Sequence, residues 1–262
     1  MESLHPFLDH DGPIAFAHRG GAGVHPENTE RAFRHAVELG FTHLETDVHV
    51  TADGVAIAFH DESLDRVTDR EGTIAELTWD EVSRARVSGT DEIMRLDDLL
   101  AAFPDSRINL DPKHDAAVEP LAAALRSTGA VDRVCVCSFD DQRTERVRSL
   151  VGPDLCVGAG PRAITALVLR GLRVPVRVPP VHVAQVPLKH GRVPIVRRGF
   201  VEAAHRVGIQ VHVWTIDEPA EMERLLDMGV DGLMTDRPET LRDVFVERGL
   251  WRRDPPGRAA GR

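Results

Sequence analysis

Short apolar runs alternate with amphipathic helical segments along this chain, eight times over, and that rhythm restricts the possible folds more than any other feature. Ile14-Ala15-Phe16-Ala17 is an apolar run that stops shortly before a Gly pair and reads as a first strand. Asn28-Thr29 opens a helix, with Ala32, Phe33, Ala36, Val37 and Leu39 at helical spacing and Gly40 as the stop. Residues 42–50 form a second strand, and Asp53-Gly54 turns the chain into a hairpin-like return over 55–59. Further strands are expected at 107–110, 133–137, 155–157, 181–184, 209–214 and 232–235. Helices are expected at 96–103, 116–127, 140–150, 164–170, 197–207, 219–228 and 238–247.

Alternating strands and helices imply a parallel sheet, and eight such units in 262 residues have the size of a single α/β (β/α)8 TIM barrel. An open doubly wound sheet is the rival, but no G-x-G-x-x-G opens the first helix. One domain is expected over 1–253. It carries a small insertion after strand 2 at about 61–93, polar and broken by Gly72 and Gly89. The tail 254–262, rich in Pro, Gly and Arg, is expected to be loose. The proline-rich stretch 174–192 has no assigned role beyond one strand.

The net charge of -10 argues against a general binder of nucleic acid or anionic membranes, and leaves an anionic substrate only a local cationic site. Three cysteines, Cys135, Cys137 and Cys156, make no disulfide framework and read as reduced packing residues. No stretch reaches the roughly 18 apolar residues of a membrane span, so no stable membrane insertion is expected. Nor does the start of the chain carry the apolar core of a signal peptide, so the cytoplasm is the default compartment.

The chemistry-bearing groups gather where the strands end. Glu45 and Asp47 are two apart on a strand and share a face, with Cα atoms roughly 6.6 Å apart. Two carboxylates about 4 Å apart repel by about 4 kcal/mol at an effective dielectric of about 20, so the pair needs a proton, a cation or solvent. Asp111, at the end of the next strand, adds a third oxygen donor, and all-oxygen ligation suits Mg²⁺ or Ca²⁺. Spacing alone leaves open carboxylates that simply bond Arg or backbone. His18 and His60 titrate near neutrality and could exchange protons, although a lone His is more often structural. Arg19 and Lys113 are candidates to hold a phosphate, with ordinary ion pairing as the alternative. His43 reads as a packing residue deeper in the barrel and His49 as a donor to the site's outer groups. Trp214, at the end of strand 7, and Gln185 are candidate pocket walls.

His18-Arg19-Gly20, Pro26-Glu27-Asn28-Thr29, Glu45-x-Asp47, Thr51-x-Asp53-Gly54 and His60-Asp61 follow one another in an order and spacing that resembles the glycerophosphodiester phosphodiesterase family. Leu64-x-Arg66-x-Thr68, Trp214-Thr215, Gly229-Val230-Asp231-Gly232 and Thr235-Asp236-Arg237-Pro238 extend the likeness from about Ile14 to Val244. The resemblance implies a (β/α)8 barrel, a divalent cation, Mg²⁺ or Ca²⁺, and hydrolysis of a small-molecule phosphodiester. By position, Glu45, Asp47 and Asp111 resemble its metal ligands, His18 and His60 its acid/base pair, and Arg19 and Lys113 its phosphate holders. Where many relatives have Glu-x-Lys, this chain has Asp111-Pro112-Lys113, one methylene shorter. Two other readings stand beside this one: a lysophospholipase D-like hydrolase of lipid-tailed diesters, and a catalytically silent phosphate-binding barrel. Head group, metal, the division of labour between the histidines and the oligomeric state are left open by the sequence.

Overall fold

Strands that are buried on both faces need helices over one face and other strands' side chains against the other. The short apolar runs meet that need in a barrel. In the computed structural model, which describes residues 5–251, they form β1 (Ile14–Ala17), β2 (His43–Val50), β3 (Arg107–Pro112), β4 (Val134–Val136), β5 (Cys156–Val157), β6 (Val183–Pro187), β7 (Gln210–Trp214) and β8 (Gly232–Thr235). Each pairs in parallel with its neighbours in sequence, and β8 returns to β1 with Ile14 opposite Gly232. The ring closes between β5 and β6, where Gly158 bridges Val183 and the His182 amide donates to the Val157 carbonyl at 3.0 Å.

Helices α1 (Glu30–Leu39), α2 (Leu96–Ala102), α3 (Val118–Thr128), α4 (Asp141–Val151), α5 (Pro161–Gly171), α6 (Arg198–His205), α7 (Pro219–Met228) and α8 (Pro238–Glu247) follow the strands in turn. The expected (β/α)8 barrel is therefore the fold. The expected loose tail, 254–262, lies outside the described residues. None of the described helices is long and apolar enough to cross a membrane.

Local chemistry sets several boundaries. Thr29 caps α1 by accepting from the Ala32 amide, and Gly40 ends it at φ 106°, a conformation that costs glycine nothing. Helix α5 begins three residues earlier than its apolar spacing predicts, because Pro161 presets the first-turn φ. Strand β6 starts two residues later than expected, after Pro179 and Pro180, which have no N–H for a ladder. Strand β3 runs two residues further than expected, to Pro112, and the ladder continues with the Lys113 amide donating to Val48 at 3.1 Å. That extension sets Asp111 directly opposite Asp47.

Outward side chains such as Leu44, Val48, Ile108, Leu110, Val211 and Val213 meet the helices in the main core. The barrel interior is separate and smaller: Phe7, Leu8, Ile14, Phe16, Cys135, Cys156, Val183 and Met234. Phe7 and Leu8 come from a 3-10 turn, Pro6–Leu8, that packs into this interior cluster with Ile14. Arg107 Nε donates to the Pro6 carbonyl at 3.0 Å, and His43 Nε2 to that of Phe7 at 2.9 Å. His43 is fully buried, and burial holds its pKa well below the usual value, so it packs as a neutral ring, as expected. All three cysteines are free, and they lie in or against this interior cluster.

After β2 the chain returns antiparallel over Ala56–Ala58, His49 opposite Ile57, and then leaves the barrel. The excursion encloses its own cluster of Ile57, Phe59, Leu64, Ile74, Val82, Ala85, Val87 and Ile93. A second core, rather than a loose loop, explains how a polar insertion can hold groups in fixed places. The Pro6–Leu8 turn, which plugs the barrel interior, offers a direct stability test. Phe7→Ala empties a fully buried ring site and should cost about 3–5 kcal/mol in urea unfolding. A loss below about 1 kcal/mol would show that the plug is dispensable.

Candidate active site

The C-terminal strand ends share one rim, and the expected residues converge there. His18 directly follows β1, in a single 3-10 turn over His18–Gly20. Arg19 takes the left-handed conformation, φ 51°, and Gly20 lies at φ 83° against the Ala32 side chain of α1, where a Cβ would approach to 2.8 Å. This tight turn sends the His18 ring and the Arg19 side chain toward the rim. The Pro26-Glu27-Asn28-Thr29 stretch braces it. The Asn28 amide donates to the Arg19 carbonyl at 2.9 Å, and the Glu27 carboxylate accepts from Arg19 NH1 at 3.1 Å. The Thr46 hydroxyl donates to Asn28 Oδ1 at 2.8 Å.

His18 Nδ1 donates to Asp236 Oδ1 at 2.7 Å, and its Nε2 lies 3.8 Å from Glu45 Oε2. Burial pushes the His18 pKa down, but the Glu45 and Asp236 carboxylates outweigh it and the pKa stands raised. Asp236 is itself fixed, because Asp217 Oδ1 accepts from its amide at 2.9 Å and from the Thr235 hydroxyl at 2.9 Å.

Glu45 and Asp47 are 5% and 3% exposed, so their mutual repulsion is not relieved by water. Burial and then the neighbouring Asp47 charge push the Glu45 carboxyl up to about 7, although the Arg19 amide donates to it at 3.1 Å. Burial likewise raises Asp111 against the pull of Lys113. The Lys113 ammonium lies between Asp47 and Asp111, at 2.5 and 2.7 Å, and Arg19 Nε lies 3.4 Å from Asp47 Oδ2. The two cations read as phosphate holders are thus engaged with carboxylates.

His60 sits on the far side, where the return strand leaves the barrel. His49 Nε2 donates to its carbonyl at 3.0 Å, which gives His49 its expected outer role. His60 Nδ1 donates to Asp61 at 2.6 Å. Arg66, from the insertion, then grips two carboxylates with one guanidinium. Nε and NH2 donate to Asp61 at 2.5 and 3.0 Å, while NH1 and NH2 donate to Glu27 at 2.9 and 2.8 Å. A continuous chain of bonds therefore runs His60–Asp61–Arg66–Glu27–Arg19.

Trp214 stands at the end of β7 with its ring edge-on to Phe139 at 5.9 Å. Phe139, after β4, is 65% exposed and was not among the expected residues. Gln185 faces inward below the mouth, 3.5 Å from His212 Nδ1. Asp217, Arg66 as a clamp, and Asp236 and Asp61 as histidine partners were also not foreseen in those roles. Their motifs were visible, but nothing in a sequence says which carboxylate meets which ring.

Donor chemistry and an orphaned atom test the fit of a divalent cation. Glu45, Asp47 and Asp111 offer only oxygen, and buried Asp47 Oδ2 accepts no hydrogen bond. A cluster whose burial drives carboxylates toward protonation has room for more positive charge. Among the described residues no three such side chains are already disposed as a cage, and Lys113 occupies the space between two of them. The set fits a hard cation provided the lysine moves aside.

The profile of the Glycerophosphoryl diester phosphodiesterase family matches residues 18–240. A Mycobacterium tuberculosis protein named "Probable glycerophosphodiester phosphodiesterase 2" is 39% identical over 251 residues, 94% of this chain and 95% of that one. Human lysophospholipase D is 29% identical over 269 residues, 87% of this chain and 85% of that one. The structure of an Oleispira antarctica phosphodiesterase in complex with the product sn-glycerol-3-phosphate matches with a TM-score of 0.77 at 21% identity, over 90% of this chain and 97% of that one, a likeness of fold.

The Arg66 clamp has a measurable signature. Asp61 is held down to about 2, first by its hydrogen bond with Arg66, against burial, and with help from His60. A depressed carboxyl stabilises the fold above its unfolded pKa, near 3.8, and that contribution is lost as pH falls toward about 2. In Arg66→Gln, the Asp61 carboxyl carbon should titrate closer to 3.8 by NMR, and stability should fall less steeply over this acid range. A midpoint unchanged from the parent would show that the clamp does not form in solution.

Proposed function

The chain belongs to the glycerophosphoryl diester phosphodiesterase family and is a phosphoric diester hydrolase, and on that basis we propose that it cleaves glycerophosphodiesters to glycerol phosphate and an alcohol, with His18 and His60 as the acid/base pair. One observation carries the catalytic assignment. Each imidazole donates a hydrogen bond from Nδ1–H to an aspartate, His18 to Asp236 and His60 to Asp61. That arrangement fixes the tautomer and leaves Nε2 to exchange protons with a substrate. Residues 1–253 are taken as one working domain, with the insertion supplying Asp61 and Arg66.

Glu45, Asp47 and Asp111 would hold a divalent cation, Mg²⁺ or Ca²⁺, which supplies Lewis-acid polarisation of a phosphoryl oxygen when bound. The protein's own groups do the rest. A diester phosphate entering the rim offers Arg19 and Lys113 an anionic partner in exchange for the carboxylates they now hold, and both would neutralise charge developing on phosphorus. One histidine takes the proton of the attacking hydroxyl, and the other protonates the departing alcohol. The attacking hydroxyl can be the substrate's own glycerol hydroxyl, giving a cyclic phosphate that water then opens. Glu27 and Asn28 keep the Arg19 guanidinium and backbone in place meanwhile. The product found in the Oleispira antarctica phosphodiesterase, sn-glycerol-3-phosphate, is of the class this reading requires.

One observation favours a second reading, hydrolysis of lipid-tailed diesters. Phe139 is exposed beside Trp214, an apolar edge that suits an acyl chain or an alkylated head group.

Glycerophosphocholine and lysophosphatidylcholine, each assayed with and without chelator, separate these readings. Turnover of the first should vanish with chelator and return with Mg²⁺ or Ca²⁺, and undiminished turnover after exhaustive metal removal sinks the cation role. His18→Ala and His60→Ala should each lower kcat at least about 10²-fold while the fold survives. A histidine whose removal leaves kcat near the parent value is misassigned. Faster turnover of lysophosphatidylcholine, lost on Phe139→Ser, would move the assignment to the lipid-tailed class.

A further inference from the structure

The overall charge of -10 averages two unlike parts of the chain. From Leu155 to Val201 there are eight Lys or Arg residues and no Asp or Glu. Among the described residues none of these eight cations forms an ion pair, whereas most Lys and Arg elsewhere do, among them Arg19, Arg31, Arg66, Arg95 and Lys113. Unpaired cations held together on a fold pay a cost in mutual repulsion that an outside anion would relieve.

The fold keeps these residues on one side. The Gly171 and Gly199 backbones touch so closely that a Cβ on Gly171 would lie 3.0 Å from Gly199, which joins the end of α5 to the start of α6. A two-stranded hairpin, Lys189–His190 with Val193–Pro194, leads into the same place, with the Ile195 amide donating to the Leu188 carbonyl at 2.9 Å. Arg173, Lys189, Arg192, Arg197 and Arg198 are all exposed there.

Large apolar side chains stand exposed among these cations: Leu172 at 62%, Val193 at 60% and Val174 at 42%. Such a mixture is unfavourable in water and suits a surface that takes both kinds of group at once. We infer that the surface made by the end of α5, residues 172–178, the 189–194 hairpin and the start of α6 docks on an anionic lipid bilayer. Cations meet headgroup phosphates, while the apolar tips enter the acyl boundary. A nucleic acid satisfies only half of this description. It would leave the apolar tips in water, and the one Phe, Tyr or Trp of the run, Phe200, is buried and offers bases no stacking platform.

The test is flotation of the full chain with phosphatidylcholine vesicles containing about one third phosphatidylglycerol, beside vesicles of phosphatidylcholine alone. The parent should float with the anionic vesicles only, and less as salt rises, since charges are screened beyond about 8 Å at physiological ionic strength. A Lys189→Glu, Arg192→Glu, Arg197→Glu variant should lose apparent affinity at least about tenfold. Leu172→Ser with Val193→Ser should lose several-fold on vesicles and nothing on heparin. All these variants should keep the parental melting temperature and parental turnover of glycerophosphocholine. If the reversal variant melts lower, the Gln versions of the same three residues must still lose part of the binding. No flotation, equal flotation with both vesicles, or binding indifferent to the charge changes overturns the inference. So does duplex DNA binding as tight as vesicle binding together with indifference to the Leu172 and Val193 changes. None of these outcomes touches the hydrolytic reading, because a soluble diester needs no bilayer.

Discussion

The site depends on burying three carboxylates side by side at the ends of two paired strands. Glu45 and Asp47 share a strand face, and the β2–β3 register puts Asp111 opposite Asp47. Left alone such a cluster would protonate or open, and burial already drives Glu45 up to about 7. The cations around it offset the remaining charge: Lys113 between Asp47 and Asp111, and Arg19 beside Asp47. In the proposed reaction a phosphodiester would replace a carboxylate as the partner of these cations.

The two histidines are placed by different means toward a similar end. His18 is fixed through elements of the barrel itself, by Asp236 after β8, which Asp217 holds in turn. His60 belongs to the excursion, and Arg66 ties it back to the loop after β1 by holding Asp61 and Glu27 together. A lysine could not do this, because only a guanidinium offers two forks at fixed angles. The insertion has its own apolar core, so this tie is anchored at both ends. Reach across the mouth is therefore rigid where a polar loop would be soft.

Charge is partitioned over the molecule as well as within the site. The rim concentrates negative charge with cations set among it, while the flank from α5 to α6 carries cations without ion-pair partners among the described residues. A net charge of -10 conceals that division. Total charge does not describe such a surface, because screening makes electrostatics local within about one Debye length.

The alternation of apolar runs with helical spacing determined the barrel, because each unit's pattern depends only on neighbouring residues. Strand and helix ends were misplaced by two or three residues where proline chemistry or ladder length intervened, as at Pro112, Pro161 and Pro179-Pro180. The candidate residues were legible too, as types at strand ends: His18, Arg19, Glu45, Asp47, His60, Asp111 and Lys113 all lie at the rim. Which of them pair was decided only by the closed ring. His18 meets Asp236 across 218 positions because β1 and β8 are neighbours, and Arg66 meets Glu27 across 39 because the insertion folds back over the loop after β1. The sequence specifies local periodicity and residue chemistry. Partners so far apart along the chain are specified by the register and closure of the barrel, which no local pattern encodes.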